Sequence, residues 1–146
     1  MLRTADGLGI EKVYLTGYTP YPAAQYDQRL PHLALKLDHQ IHKTALGAER
    51  SIPWEHNPDV TQVIKQLKSD GYGIVALEQS AASLPLDVFR PPQNIALIVG
   101  REVEGIEPEV LALADTIVEI PMHGQKESFN VATAAAIALY HITYMS

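Results

Sequence analysis

The 146-residue chain contains no cysteine. That absence excludes disulfides, thiolate zinc sites and catalysis through a cysteine nucleophile. No apolar run approaches the roughly 18 residues that a membrane-crossing helix needs. The opening residues Met1-Leu-Arg-Thr-Ala-Asp6 lack the apolar core of a secretory signal. A cytoplasmic location is therefore expected. Cationic side chains are also scarce, 11 Lys and Arg against 17 Asp and Glu for a formal charge of −6. Any contact with a polyanion then has to be local. What remains is ordinary globular material, 47% hydrophobic and 19% charged, in a chain long enough to bury a real core.

Strand and helix patterns alternate along the chain. Residues 2 to 8 read as the end of a helix closed by Gly7 or Gly9, and Lys12-Val-Tyr-Leu-Thr-Gly17 as a strand. Tyr18-Thr-Pro-Tyr-Pro22 follows as a loop. Leu33, Leu37 and Ile41 stand four apart, which favours a helix over His32 to Leu46. Asp59 to Ser69 is a clearer helix with Val60, Val63, Ile64 and Leu67 on one face, and Gly71 beyond its end. Gly73 to Glu78 is the next strand, and Pro108 to Ala114 a short helix between the last two strands. Short connections between alternating elements predict an α/β fold with a mainly parallel sheet flanked by helices.

Two stretches stand out chemically. In the first, Asn94-Ile-Ala-Leu-Ile-Val-Gly-Arg-Glu-Val-Glu-Gly-Ile-Glu-Pro108, a continuous apolar run predicts a strand covered on both faces, ending in a turn where Gly100 and Gly105 flank Glu102. Glycines there let a backbone approach a ligand closely, although a plain turn explains the same string. In the second, Thr116 to Leu139, the β-branched residues Ile117, Val118 and Ile120 form a strand closed by Pro121. A polar loop with Ser128 and Asn130 leads into an alanine-rich helix. Ser128 is the expected N-cap, the helix is expected to be buried on most sides, and its free first amides favour a negative or strongly polar ligand group.

Other residues carry less. Arg29, Lys36, Lys43 and Arg50 recur every seventh residue and Lys65 pairs with Lys68, as an RNA track or a solvated amphipathic face would have it. His39 and His42 share a helix face, yet no set of carboxylates and histidines at a metal-binding spacing accompanies the six histidines, and no metal is expected. Trp54 reads as a core or interface residue rather than a base-stacking platform.

In order and spacing the two stretches resemble the SpoU, or TrmH-like, RNA 2′-O-ribose methyltransferases of the SPOUT superfamily. The second family motif looks like Ala96-Leu-Ile-Val-Gly-Arg-Glu-Val-Glu-Gly105, and the third like Ile120-Pro-Met-His-Gly-Gln-Lys-Glu-Ser-Phe-Asn-Val-Ala132. Phe129 and Ala132 replace the family's usual leucine and serine. The first motif is present in part, as Leu2-Arg-Thr-Ala-Asp-Gly-Leu-Gly9, and Lys43-Thr-Ala-Leu-Gly-Ala-Glu49 matches in the middle. The resemblance implies a single SPOUT domain over residues 1–146, and the expectation is that its first strand is not encoded in this chain.

It further implies a C-terminal trefoil knot, S-adenosylmethionine as cofactor, a homodimer, and methyl transfer to a ribose 2′-hydroxyl of tRNA or rRNA. The absence of cysteine sets this apart from enzymes that methylate a pyrimidine ring through a cysteine. The positions that match the family's cofactor loops are Leu77, Gly100, Ile120, Met122 and Phe129. Those that match its catalytic set are Arg3, Glu102, Ser128 and Asn130. Arg3, whose guanidinium stays charged and has no lone pair to accept a proton, is expected to act as a donor that fixes a phosphate rather than as a base. Two rivals stand beside this: a catalytically silent SPOUT-like protein that binds S-adenosylmethionine and RNA, and an unrelated α/β small-molecule module.

Overall fold

The computed structural model describes residues 1–145, which form two compact units, Met1–Val60 and the residues from Thr61 onward. In the first unit helix α1 (Leu2–Gly7) buries Leu2 and Ala5 and ends as Gly9, at φ +68°, turns the chain. Strand β1 (Val13–Thr16) pairs in parallel with β2 (Trp54–Asn57), Val13 opposite Trp54 and Thr16 opposite Asn57. Between them lie α2 (Pro31–Ala45) and the single turn α3 (Ala48–Ser51). Pro31 occupies the first turn of α2, where its missing N–H costs nothing. Leu2, Ala5, Ala45, Ala48 and Ile52 form this unit's core, with Ile10, Val13 and Ile41 packed against it.

β2 went unread because Trp-Glu-His-Asn shows neither β-branched content nor alternation; its partner strand defines it. The Trp54 indole N–H donates to the Glu49 carbonyl (3.1 Å) and the ring is half-buried, as the core reading requires. The sevenfold recurrence of cations does not make one track. Arg29 precedes α2, where its guanidinium bonds Asp27 and the Tyr21 and Pro22 carbonyls and lies 3.6 Å over the Tyr21 ring, and Arg50 sits on α3.

The second unit opens with helix α4 (Val60–Ser69), which buries Val63 and Ile64 as its pattern predicts. Its sheet has the order β4-β6-β3-β5 and is parallel throughout: β3 (Gly73–Leu77), β4 (Leu84–Pro85), β5 (Ile95–Val99) and β6 (Thr116–Glu119). The expected single sheet is thus two sheets, one in each unit. β3 is the buried centre, whereas β5 is an edge strand, half-buried at every position instead of fully covered. Val75, Leu86, Phe89, Val118 and Ala138 make the core. Asp115 ties the start of this sheet to α4: its carboxylate accepts from the Lys68 ammonium (2.6 Å) and the Ile74 amide (2.8 Å). Those two donors, Lys68 first, hold its pKa below the ordinary aspartate value.

Helix α5 (Pro108–Leu111) is shorter than expected, its hydrogen bonds continuing as turns to Ala114. Helix α6 (Val131–Tyr144) is capped by Asn130, not by Ser128. It is also less enclosed than its alanine content implies. Ala135 and Ala138 are buried, but Ile137, Tyr140 and Tyr144 are 38%, 57% and 59% exposed, the last two as a tilted ring pair. An apolar composition alone does not say on how many sides a helix is covered.

Candidate functional site

Parallel strands bring all their carboxyl ends to one edge of the sheet, where open α/β sheets hold ligands. Here β3, β5 and β6 end on an open cleft of about 430 Å³. Of the sequence candidates, Leu77, Gly100, Glu102, Ile120, Ser128 and Phe129 all line it. Asn130 adjoins it through a 2.9 Å hydrogen bond from its Nδ2 to Glu102 Oε1. Met122 is half-buried and does not line the cleft. Arg3 lies exposed on α1, in the other unit.

The turn after β5 is closed by paired hydrogen bonds between the backbones of Arg101 and Gly105, 3.1 Å each way. A Cβ on Gly100 would overlap the Gly105 carbonyl carbon and stand 2.5 Å from the Ile106 nitrogen. Glycine at 100 is therefore demanded by the turn itself, not first by an approaching ligand. Gly105, at φ +69°, is needed for its conformation and because a Cβ there would collide with the Glu78 carboxylate.

Glu78 and its neighbour Gln79 are the site residues that motif reading missed. Glu78 Oε2 accepts the Ile106 amide (2.9 Å) and Oε1 the Gln79 amide (3.0 Å). Gln79 Nε2 donates to the Glu127 carbonyl (2.9 Å), on the loop that leads to α6. The available signal was position alone, a polar pair directly after the buried run Ile74 to Leu77.

Two of the helix amides expected to await an anion are already taken. Asn130 Oδ1 accepts from Ala132 N (3.0 Å) and Thr133 N (3.4 Å). The wall of the cleft is acidic, with Glu78, Glu102, Glu104 and Glu119 against Arg101, whose guanidinium is paired with Glu107. Glu119 accepts the Ser83 hydroxyl at 2.6 Å. A bare phosphate meets repulsion in such a wall, whereas a cationic or neutral ligand with apolar surface fits between Leu77, Ile120 and Phe129. No cluster of three metal-ligating side chains, and no helix long and apolar enough to cross a membrane, occurs among the described residues.

Known proteins share both sequence and fold with this chain. It is 32% identical over 145 residues to the 23S rRNA (guanosine(2553)-2′-O)-methyltransferase RlmP of Bacillus subtilis, covering 97% of this chain and 51% of that one. The chain thus spans about half the length of that relative. Among solved structures, the A. aeolicus TrmH/SpoU tRNA modifying enzyme superimposes with a TM-score of 0.76 at 25% identity, over 97% of this chain and 64% of that one. The SpoU methyltransferase AviRb from Streptomyces viridochromogenes, solved with AdoMet, shares the fold with a TM-score of 0.76 at 24% identity, over 99% of this chain and 53% of that one. With residues 1–140 matched to the family's sequence pattern, the chain belongs to the SpoU rRNA Methylase family.

Proposed function

We propose that the chain is an RNA 2′-O-ribose methyltransferase that uses S-adenosylmethionine and acts on tRNA or rRNA. The observation that carries this is the cleft at the carboxyl edge of β3, β5 and β6, walled by the two glycine- and serine-bearing stretches that define the family resemblance. The AdoMet in the AviRb structure supports the cofactor. So does the wall: its carboxylates suit a sulfonium and an ammonium, its apolar residues suit an adenine, and about 430 Å³ is within the usual size of small-molecule sites.

Of the five cofactor-loop positions, Leu77, Gly100, Ile120 and Phe129 would hold the cofactor, chiefly through backbone groups, which tolerates Phe129 in place of leucine; Met122 lies outside the lining. When bound, the cofactor supplies an electrophilic methyl group. The chain's own part is orientation and proton handling at the ribose oxygen. Ser128 and Asn130 would orient the hydroxyl and the loop, Glu102 would fix Asn130, and Arg3 would grip a phosphate and lower the hydroxyl's pKa as a donor.

RNA contact is assigned to the first unit. Ten of the 17 acidic residues lie beyond Val60, whereas six of the 11 cationic residues and four of the six histidines lie before it. On α2, His32, Lys36, His39 and Lys43 are spaced four, three and four apart, share one face, and are all exposed. Asp38, the one acid of this helix, instead accepts the Ala23 amide at 2.9 Å.

The remaining parts of the reading are a single SPOUT domain with a C-terminal trefoil knot, a cytoplasmic location, and a homodimer. The exposed face Ile137, Tyr140 and Tyr144 of α6 supports the dimer. The test is calorimetric titration of S-adenosylmethionine followed by transfer of its labelled methyl group to bulk tRNA and rRNA, with the label mapped to ribose. Tight binding and ribose label are expected. No binding would sink the cofactor site, and binding without transfer would turn the reading to the silent protein.

A further inference from the structure

The mouth of the cleft is made by two loops that leave the sheet separately, the turn from Gly100 to Ile106 and the segment from Pro121 to Asn130. Asn130 and Glu102 join the two loops to each other, but a tether from each loop to β3 needs residues outside them. That work falls to two adjacent side chains at the end of β3. Glu78 reaches the first loop through the Ile106 amide, and Gln79 reaches the second through the Glu127 carbonyl. The two are coupled, because the second oxygen of Glu78 accepts the Gln79 backbone N–H.

We propose that Glu78 and Gln79 are positioning residues for the cofactor, a clasp that holds the two loops at one spacing before the ligand arrives. The proposal rests on the cleft being the S-adenosylmethionine site. Three features distinguish the clasp from a generic surface contact. Both oxygens of Glu78 accept backbone amides, so the side chain has one allowed position. Gly105 packs so closely on that carboxylate that any side chain at 105 would displace it. Gly100 in turn lies against Gly105, so the order from strand to turn is Glu78, then Gly105, then Gly100, each layer without spare room.

A ligand held by backbone groups draws its affinity from how well those groups are already aligned. Loss of the clasp leaves the loops able to adopt the bound arrangement, but only on binding. The cofactor's dissociation constant and KM then rise, while kcat at saturating cofactor and the KM for RNA stay close to wild type. A role confined to holding the fold predicts a lower melting temperature with unchanged cofactor affinity.

The experiment titrates S-adenosylhomocysteine into the wild type, Glu78→Ala, Glu78→Gln and Gln79→Ala by calorimetry. Hydrogen exchange of the Ile106 amide and melting are measured on the same samples. Removing a hydrogen bond to a charged acceptor weakens binding by about tenfold or more, so Glu78→Ala is expected to reach that and Gln79→Ala a few-fold. Glu78→Gln falls between, because an amide keeps one acceptor oxygen and cannot receive both N–H groups. The Ile106 amide should exchange faster in both Glu78 variants. If Glu78→Ala fails to fold, Glu78→Gln and Gln79→Ala decide. Wild-type affinity in every folded variant overturns the proposal, whatever happens to melting. Absence of binding by the wild type overturns the cofactor reading instead, and unchanged Ile106 exchange in Glu78→Gln would then overturn the clasp on its own.

Discussion

Asn130 serves two partners at once: its carbonyl oxygen caps α6 through Ala132 N and Thr133 N, while its amide nitrogen, 2.9 Å from Glu102 Oε1, holds the turn after β5. One side chain therefore joins the start of a helix to the opposite wall of the cleft.

This double use separates two substitutions. Asn130→Ala loses both the cap and the link, and a lost cap typically costs about 1 kcal/mol. Asn130→Ser can still cap the helix but is too short to hold Glu102. Melting should fall for alanine and stay near wild type for serine, while methyl transfer falls strongly for both. Serine with full activity would show that the Glu102 contact is idle.

Gly100→Ala and Gly100→Val are expected to lower the melting temperature and abolish cofactor binding together, because the new Cβ collides with the Gly105 backbone before it meets any ligand. Calorimetry and thermal melting on the same samples check this. Lost binding at an unchanged melting temperature would mean that the turn adapts and that the side chain obstructs the ligand directly.

The face of α2 can be tested by its salt dependence. Lys36→Ala with Lys43→Ala should weaken RNA binding uniformly across sequences and lower the slope of log affinity against log salt by about 0.7–0.9 per lysine that meets a phosphate. S-adenosylmethionine affinity should be untouched. An unchanged slope removes α2 from the RNA surface.

Asp115 gives a pH signature. Its pKa is lowered in the folded state by Lys68 and the Ile74 amide, so its contribution is present above the unfolded value near about 4 and is lost as pH falls through the folded one. Asp115→Asn should therefore unfold at lower urea than wild type between pH 5 and 8. The gap should close as pH drops below about 4. A gap that widens in acid would contradict the direction of the shift.

What was legible in the sequence was whatever a local pattern encodes. The β-branched runs of β3, β5 and β6, the apolar face of α4 and the glycine-marked turns stand where they were read, and six of the nine site candidates line one cleft. Illegible features depended on partners distant in sequence. β2 exists because β1 is beside it. Ser128 and Asn130 are both good caps, and only the path of the loop decides between them. Arg29 looked like one of a series of surface cations until Asp27 and two carbonyls engaged it. Glu78 matched no motif because its significance is a contact across 28 residues with Ile106.

The strand register has a consequence for insertions and deletions. Leu77 stands opposite Val99 on one side and Val118 on the other, so three strands run out at the same level. Removing one residue from β3 would exchange its two faces, turning Glu78 toward the interior and leaving both loops without their tether. The lengths of β3, β5 and β6 are thus interlocked: a change in one is tolerated only with a matching change in its neighbours.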